Sequence, residues 1–292
     1  MTDLRSPGLT AADRKFFADN GYVVVGGLLD QPHLDAVIDA VFEFLGQDPA
    51  EPDSWYTDPP RSHGMVQLFQ HRALWANRQN PAIYRTFAEL LGCRELWVSI
   101  DRANMKPPAR ADRPGWGDQG FLHWDIDPRE PHQHPPWVQG VVALTDTPTD
   151  QGGFQCAPEL YRVLDDWLAE KDPEDDRRAP DGSPKGPLLS GIKGQPVAMK
   201  AGDLLIWNSR LPHGNSPNHG QWPRLAQYIR MFPTGSDEDR QERLRDFHAR
   251  RVPSSFDPSG SLPPEPGPAP RLTKLGRRLL GIDTWDRSRS TN

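Results

Sequence analysis

The first third of the chain places apolar residues three or four positions apart, which is the spacing of one face of a helix. Glycines follow directly at Gly21, Gly46 and Gly92, and glycine is the residue that most often ends a helix. A β-branched and aromatic run at residues 22–25 predicts a short strand after the first helix. The three predicted helices cover residues 9–20, 34–45 and 81–91.

The middle of the chain changes to short apolar runs separated by glycine, proline and aspartate, a pattern typical of strands. No regular helices separate these runs. We therefore expect a mainly β fold with flanking helices (α+β), built on a double-sheet barrel or jelly roll rather than a parallel sheet. The predicted strands cover residues 96–105, 120–126, 137–144, 153–157, 196–200, 203–207 and 224–232.

Helical patterns and prolines return in the last part of the chain. We predict a helix over residues 236–250, and we interpret the basic amphipathic stretch at residues 272–281 as a packing helix rather than a membrane contact. A single domain is expected over residues 1–292. Its predicted parts are a helical N-terminal part at about 1–92, a jelly-roll core at about 95–233, and a helical, proline-rich extension at about 234–292.

Composition and charge narrow the partners and the compartment. The 34 Lys and Arg against 40 Asp and Glu give a net charge of −6, which argues against nucleic acid or an anionic membrane as the main partner. Cys93 and Cys156 stand far apart without C-x-x-C spacing, and we expect neither a leader peptide nor a membrane span. We therefore expect a cytoplasmic protein that acts on a small molecule, with its oligomeric state left open.

The segment FLHWD places His123 and Asp125 two residues apart. In a strand the two side chains would share a face and could bind a metal together, although a histidine hydrogen-bonded to a neighbouring aspartate explains the pair equally well. His213 offers a third ligand in a Pro-His-Gly turn that follows an apolar strand. Two histidines and one carboxylate leave three metal positions open, the arrangement of non-haem Fe(II) oxygenases.

Other interpretations of the chemistry stay open. His132 and His134 have the alternating spacing of zinc-hydrolase ligands, although the surrounding prolines predict an irregular loop. A jelly-roll protein that binds a ligand without turnover is a second alternative. Nucleotide-binding and serine-hydrolase functions are disfavoured, because the sequence has no phosphate-binding glycine loop and no G-x-S-x-G elbow.

Four stretches in the middle of the chain carry a family resemblance. They are DRANMKPP at 101–108, FLHWDID at 121–127, VVALTDTPTDQGGFQCAP at 141–158 and GDLLIWNSRLPHGNSPNHGQWPRL at 202–225. In order and spacing they resemble the phytanoyl-CoA dioxygenase family of Fe(II)- and 2-oxoglutarate-dependent oxygenases, including its ectoine hydroxylase branch. The resemblance implies a double-stranded β-helix core and an enzyme that uses Fe(II), O2 and 2-oxoglutarate to oxidise an unactivated C–H bond, releasing succinate and CO2.

The resemblance also implies roles for single residues. His123, Asp125 and His213 match the family's iron ligands, and Arg224 matches the arginine that pairs with the distal carboxylate of 2-oxoglutarate. A guanidinium suits that role because it binds a carboxylate through two parallel hydrogen bonds. An aspartate at 125 favours hydroxylation over halogenation, since the related halogenases have a small residue there. The family's P-G-S-H turn is missing after Pro158, so a different substrate is expected, and an intermediate of specialised metabolism is the preferred class.

Weaker assignments concern the contacts to cosubstrate and substrate. Asn104 falls where the ectoine hydroxylase branch has a cosubstrate-contacting asparagine, and Gln139 falls where that branch has a serine in the same role. Arg102 would share a strand face with Asn104, so we predict it as a substrate contact. Trp116 and Trp124 are the predicted aromatic substrate contacts, with Trp116 as a lid residue.

Overall fold

The computed structural model describes residues 8–116, 120–130, 135–179, 182–267 and 269–285. Local signals set the helices of the N-terminal part: Thr10 and Asp13 form a capping box, and Gly21 ends the same helix in the left-handed conformation. The three predicted helices are confirmed, and a further short helix lies before the last of them. The helices are α1 (Ala11–Asn20), α2 (Gln31–Leu45), α3 (Arg72–Arg78) and α4 (Pro81–Leu91).

Two antiparallel sheets form the centre of the molecule. The larger sheet has the strand order β1-β10-β5-β12-β4-β2, and a smaller one has the order β11-β6-β9. The strands of the described residues are β1 (Tyr22–Val25), β2 (Met65–Val66), β3 (Leu96–Val98), β4 (Ala103–Lys106), β5 (Val138–Ala143), β6 (Phe154–Cys156), β7 (Asp176–Arg178), β8 (Pro184–Pro187), β9 (Gln195–Pro196), β10 (Leu204–Asn208), β11 (His213–Asn215), β12 (Arg224–Tyr228) and β13 (Met231–Pro233).

Alternate residues of the larger sheet face two different cores. On β10, Leu204 and Ile206 pack into the core shared with the N-terminal helices. Leu205 and Trp207 pack instead with Phe154 of the smaller sheet. This period of two puts helices on one face of the larger sheet and the second sheet on the other. The architecture is therefore mainly β with flanking helices and has the two facing sheets of a jelly roll.

Two of the predicted strands are too long. Residues 96–105 divide into β3 and β4, and residues 224–232 divide into β12 and β13. The two divisions correspond to each other. Strand β3 pairs with β13 in a separate two-stranded ribbon, and β4 pairs with β12 in the larger sheet. The apolar pattern continues through the break, so it does not reveal the change of sheet. Of the strand predicted at 196–200, β9 and a bridge from Met199 to Thr147 are present.

The prediction of a strand at residues 120–126 is wrong. Within this segment His123 alone pairs as a strand residue does, through an isolated bridge to His213. Three elements that the sequence pattern did not indicate cover this side of the molecule: the hairpin of β7 and β8, and the helices α5 (Pro158–Arg162) and α6 (Leu164–Ala169). Side chains of these elements hold the segment in place of a strand ladder.

The C-terminal part packs back onto the N-terminal helices. Both of its predicted helices are confirmed as α7 (Asp237–Ala249) and α8 (Lys274–Leu280). Leu279 and Leu280 of α8 are fully buried in the larger core, so the basic stretch is a packing helix. The carboxylate of Glu265 accepts hydrogen bonds from the backbone N–H groups of Phe69 and Gln70. Within the described ranges, no helix combines the length and apolar character needed to cross a membrane.

A buried amide pair joins strand β12 to helix α3 and yields a stability prediction. Gln227 accepts a 2.9 Å hydrogen bond from the Asn77 amide and donates one of 2.9 Å to the Leu74 carbonyl. Both amide side chains are fully buried. Replacing Gln227 by leucine should lower the free energy of unfolding by about 1–3 kcal/mol, because it leaves two buried polar groups unpartnered. Urea unfolding measures the change.

The matched control is Gln241→Leu, since Gln241 lies exposed on α7. Its free energy of unfolding should change by less than about 0.5 kcal/mol. Equal effects of the two substitutions would contradict a structural role for the Gln227 amide.

Candidate metal centre and its cavity

His213 is the first residue of β11 and its ring is fixed by the preceding turn. The side chain is only 4% exposed. Its Nδ1 lies 2.9 Å from the carbonyl oxygen of Leu211. A carbonyl can only accept, so Nδ1 carries a proton and Nε2 is the ring nitrogen that faces the cluster. The local turn therefore prepares Nε2 as a ligand atom.

His123 reaches His213 through backbone pairing. The His123 N–H donates to the His213 carbonyl at 2.8 Å, and the His213 N–H donates back at 3.1 Å. Gly214 allows this approach, because a Cβ atom there would lie 1.8 Å from the carbonyl oxygen of Phe121. The glycine of the Pro-His-Gly turn is thus the residue that lets the two histidine-bearing segments touch.

The residues after His123 are held by side chains from elsewhere in the fold. Trp124 is 1% exposed and donates from its indole to the Arg210 carbonyl at 2.8 Å. Arg177 of β7 donates to the Trp124 carbonyl at 2.7 Å, and Lys185 of β8 donates to the Asp125 carbonyl. Because Trp124 is anchored in the core, the side chain of Asp125 is turned toward the two histidines.

The three side chains converge on one point. Nε2 of His123 lies 3.5 Å from Oδ1 of Asp125, and Nε2 of His213 lies 3.3 Å from Oδ2. The two imidazole centroids are 4.6 Å apart. One donor atom from each residue lies within 4.8 Å of the others. Metal–ligand bonds of about 2.1 Å place neighbouring ligand atoms roughly 3 Å apart, so only a small contraction brings this set onto a single ion.

The chemistry of the donor atoms fits a divalent metal. Nε2 of His213 lies 3.3 Å from a carboxylate oxygen, and a metal ion between two such atoms would be bound by a lone pair from each. Two imidazole nitrogens and one carboxylate on one face form the donor set that non-haem Fe(II) sites use. The geometry thus supports a metal-binding role for His123, Asp125 and His213.

Protonation in this cluster favours the ligand forms. Burial lowers the pKa of His123, against the smaller opposing effect of Asp125. Burial alone would raise the pKa of Asp125, but its interactions with the two neighbouring histidines hold it well below its ordinary value. An ionised carboxylate and a neutral imidazole are the forms that bind a metal.

Gln139 of β5 contacts the cluster directly. Its side-chain amide donates a 2.8 Å hydrogen bond to Oδ2 of Asp125. The predicted contact of Gln139 with a cosubstrate stays a prediction. What the structure adds is a hydrogen bond that orients the carboxylate, in the way that residues outside the first ligand shell orient metal ligands.

Arg224 and Asn104 form a pair inside the jelly roll. Arg224 is 2% exposed and donates to Oδ1 of Asn104 at 2.8 Å. The Asn104 amide in turn donates to the carbonyl of His63 at 2.8 Å. The two residues are register neighbours on paired strands, because Ala226 of β12 faces Asn104 of β4. This pairing explains why the two side chains meet although they are far apart in sequence.

A cavity of about 900 Å³ opens from the cluster toward α7 and the C-terminal extension, and its volume suits a small-molecule site. Its wall includes all three cluster residues as well as Gln139 and Arg102. Arg224 and Asn104 lie behind this wall, whose described members include their contacts His63 and Tyr228. Further residues of the wall are Met65, Trp97, Phe121, Trp137, Phe154, Trp207, Arg230, Phe232, Arg243 and Phe256.

Two predicted substrate contacts lie away from this cavity. Trp124 packs against Trp167 in a separate core, 6.3 Å between ring centroids. Trp116 is 6% exposed, stacks under Arg61 and donates to the Thr57 carbonyl. Neither residue is in the described cavity wall, because each indole is used to pack a loop onto the body of the protein.

Of the other candidates for chemistry, the structure describes the buried thiol but not the rival histidines. His132 and His134, the predicted ligands of a zinc-hydrolase site, lie outside the described residues. Cys156 is fully buried in β6, and burial raises the pKa of its thiol to about 12. A thiol with such a pKa is protonated at neutral pH, so Cys156 is a structural residue rather than a nucleophile.

Sequence reasoning missed Arg177, Lys185 and Arg230. The first two lie in a proline-rich stretch whose pattern predicts a loop. Their acceptors are backbone carbonyls, which every residue has, so the sequence cannot indicate these contacts. Arg230 follows the strand β12 that carries Arg224, and the alternation along that strand was the available signal.

Comparisons with known proteins agree with this geometry. A family model described as "Phytanoyl-CoA dioxygenase (PhyH)" matches residues 17–226. A Dictyostelium discoideum protein described as "Putative phytanoyl-CoA dioxygenase" is 21% identical over 92% of this chain and 86% of its own length.

Solved structures share the fold. The GlcNAc Inducible Gene 2 protein of Candida albicans aligns with a TM-score of 0.74 at 14% identity, over 99% of this chain and 80% of that protein. The epimerase SnoN, solved with Fe3+, alpha ketoglutarate and nogalamycin RO, aligns with a TM-score of 0.54 at 17% identity, over 90% and 96% of the two chains. The predicted fold class is confirmed.

The close contact between Gly214 and the carbonyl oxygen of Phe121 leads to a prediction about metal affinity. Gly214→Ala should weaken Mn(II) binding by about tenfold or more, because the added methyl group pushes β11 and its histidine away from residues 121–123. Isothermal titration with Mn(II), a redox-stable substitute for Fe(II), measures the affinity.

Gly26→Ala is the matched control for this substitution. The atom nearest to a Cβ at Gly26 is Oδ1 of Asp203 at 3.4 Å, an ordinary contact, and the site is remote in the fold. Its Mn(II) affinity should equal that of the wild type. A Gly214→Ala protein with wild-type affinity would show that the bridge does not position the ligands.

Proposed function

The chain belongs to the phytanoyl-CoA dioxygenase family, and from this membership and the geometry of the cluster we propose that it is an Fe(II)- and 2-oxoglutarate-dependent dioxygenase. The proposed reaction oxidises an unactivated C–H bond of a small molecule, by hydroxylation in the first instance, and releases succinate and CO2. The observation that carries the proposal is the convergence of His123, Asp125 and His213 at the wall of a cavity large enough for cosubstrate and substrate.

The iron would be held by Nε2 of the two histidines and by the carboxylate of Asp125. When bound, it supplies the activation of O2 that no protein side chain provides. The protein's part is to hold three ligands on one side of the ion and leave the cavity side open. Gln139 would keep the Asp125 carboxylate oriented toward the ion.

Arg224 is the proposed partner of the far carboxylate of 2-oxoglutarate. The residue is buried in the jelly roll and its guanidinium is already oriented by Asn104. A charge-assisted pair is strong in such a water-poor place. Arg224 lies behind the described wall of the cavity, so the proposal requires the side chains of Met65 and Tyr228 to admit the cosubstrate between them.

A small molecule of specialised metabolism is the proposed substrate class. The cavity of about 900 Å³ has aromatic walls from Trp137, Phe232 and Phe256, which suits a partly apolar organic compound. SnoN, which shares the fold, binds nogalamycin RO, and this supports a cavity of this kind taking a large natural product. The substrate class is proposed by analogy of fold.

The proposal predicts a spectroscopic signal that depends on the cluster. Anaerobic addition of Fe(II) and 2-oxoglutarate to the wild type should give the weak visible charge-transfer band of the chelate. His213→Ala should abolish the band, because a ligand on the buried side of the ion is lost. Succinate release under air should fall with it to the level of free iron.

His248→Ala is the control, since His248 lies exposed on α7. This variant should keep both the band and succinate release. A His213→Ala protein with an unchanged band would place the iron elsewhere and refute the proposed centre.

A second prediction concerns the cosubstrate alone. Arg224→Lys keeps the charge but loses the two-pronged hydrogen bond, so the Kd for 2-oxoglutarate should rise by about tenfold or more. Mn(II) affinity should stay the same, because Arg224 touches none of the three ligands in the described structure.

Titration of the anaerobic Fe(II) protein with 2-oxoglutarate measures the effect, and Arg251→Lys, an exposed arginine, is the control. An unchanged Kd for Arg224→Lys would show that another group binds the far carboxylate.

A further inference from the structure

Two arginines with no assigned role line the cavity beside the cluster. Arg230 follows β12 and Arg102 precedes β4, and these strands pair antiparallel. The carbonyl of Arg102 accepts a 3.1 Å hydrogen bond from the N–H of Tyr228, so the two arginines emerge at the same end of neighbouring strands. Both side chains are part of the cavity wall.

Their guanidinium groups lack hydrogen-bond acceptors. Across the part of the chain that the structure describes, neither group donates a hydrogen bond, and the Nε atom of each is buried without a partner. The nearest approach is from Nε of Arg102 to Oδ1 of Asp101, at 3.8 Å. The terminal nitrogen atoms of both arginines also donate no hydrogen bond but are not among the buried atoms, so they are accessible to an acceptor that binds from the cavity.

A third arginine of the same wall shows the contrast. Arg243 of α7 donates to the backbone carbonyls of Val98 and Leu279, which joins the helix to the body of the protein. Its donors are used within the chain, as expected for a structural arginine. By contrast, the Nε atoms of Arg102 and Arg230 are buried, and neither guanidinium group donates a hydrogen bond in the described structure.

Aromatic rings hold the two free guanidinium groups in place. Arg102 stacks on Phe256 at 4.3 Å, and Arg230 stacks on Phe232 at 4.9 Å and lies 5.7 Å from Trp137. Stacking uses the face of the guanidinium plane and leaves the N–H groups at its edge available. The arrangement therefore fixes the orientation of the donors without satisfying them.

Two carboxylates act electrostatically on these arginines. Asp101 is the carboxylate whose charge acts on both arginines, and Asp125, a proposed metal ligand, also acts on Arg230. Burial lowers the pKa of Arg230 and these carboxylates only partly oppose it, yet a guanidinium stays charged at neutral pH. In the described wall the two arginines thus face Asp101 and the cluster residue Asp125, and the other carboxylates of the wall, Asp239, Glu242 and Asp246, belong to α7.

Acidic residues of α7 reach the same cavity but do not supply the missing acceptors. Asp239 accepts hydrogen bonds from the backbone and hydroxyl of Ser236, and Glu242 accepts one from the hydroxyl of Ser254. These carboxylates serve a helix cap and a loop. The two guanidinium groups remain available to a ligand.

We propose that Arg102 and Arg230 form a subsite for an oxyanion group of the substrate, a carboxylate or a phosphate, next to the metal cluster. This inference rests on the proposed function and narrows it: the substrate is an anionic small molecule, held by its charged group while its apolar part lies against the aromatic wall. The interaction of Arg230 with Asp125 places the subsite close enough to the cluster to orient a bound molecule.

Binding of three matched probes tests the subsite. Phenylacetate, phenyl phosphate and the neutral phenylacetamide are titrated into the protein saturated with Mn(II) and 2-oxoglutarate, so that the cosubstrate position is filled. At least one anion should bind tenfold or more tighter than the amide, and the tighter of the two identifies carboxylate or phosphate. Equal affinities of the amide and both anions would overturn the inference.

Variants assign the preference to the two arginines. Arg102→Gln and Arg230→Gln should each reduce anion affinity by about tenfold without changing that of the amide, and Arg230→Lys should restore part of it. Arg61→Gln is the matched control, because Arg61 also stacks on a tryptophan with an unpartnered Nε but lies outside the described cavity wall. An anion preference that survives both glutamine substitutions would refute the assignment.

The chelate band separates this inference from the proposed function. A wild type without the band but with a preference for anions would refute the dioxygenase and leave the anion subsite standing. Loss of the band in both glutamine variants, with normal cosubstrate binding in Arg224→Lys, would show that these arginines hold 2-oxoglutarate and would overturn the inference.

If a glutamine variant fails to fold, the salt dependence of probe binding can be measured on the wild type alone. Rising NaCl should weaken anion binding and leave amide binding unchanged. Anion binding that is independent of salt would count against the subsite.

Discussion

Two backbone hydrogen bonds between His123 and His213 bring the proposed centre together. They join a segment without regular structure to the first residue of a strand, and they are the only strand-like pairing of residues 120–126 in the described chain. The pairing fixes which side chains face each other, since a shift by one residue would turn both histidines away. Gly214 makes it sterically possible, and the turn at Leu211 sets the ring of His213 once it is there.

The parts of the fold that could be predicted are those with local causes. Helix α1 can be predicted from its capping residue, the acid in its first turn and the glycine that follows it. Strand β10 can be predicted from its apolar residues, which alternate between two cores. The parts that could not be predicted depend on distant partners. Residues 120–126 have the apolar and aromatic pattern of a strand. However, the indole of Trp124 anchors a loop, and the sequence pattern does not distinguish this role from that of a strand residue. The division of β12 from β13 depends on which strand lies alongside, and no local residue records it.

In the candidate site, too, the sequence indicated which residues take part better than it indicated what each of them contacts. The family resemblance pointed to His123, Asp125, His213 and Arg224, and the structure brings the first three to one point. Gln139 was selected as a polar contact, but its hydrogen bond goes to Asp125, a detail that depends on the position of a side chain from another segment. Tryptophan content offered no comparable guide, because an indole is as useful for fixing a loop as for binding a substrate.

The hydrogen-bond partners of the buried arginines give a way to separate structure from function in this cavity. Arg78 and Arg243 donate to backbone carbonyls, so their charges stabilise the body of the protein. Arg224 donates to a single side-chain amide, which orients the group and leaves other donors for a carboxylate. Arg102 and Arg230 stack on rings, and in the described structure their guanidinium groups donate no hydrogen bond. If stability were the only demand on these positions, an apolar side chain would fill them at lower cost than a desolvated cation. A cation that stacks on rings at a cavity wall and donates no hydrogen bond in the described structure is better explained by what it binds. In this chain that explanation separates a deep site for a dicarboxylate cosubstrate from a wall site for an anionic substrate.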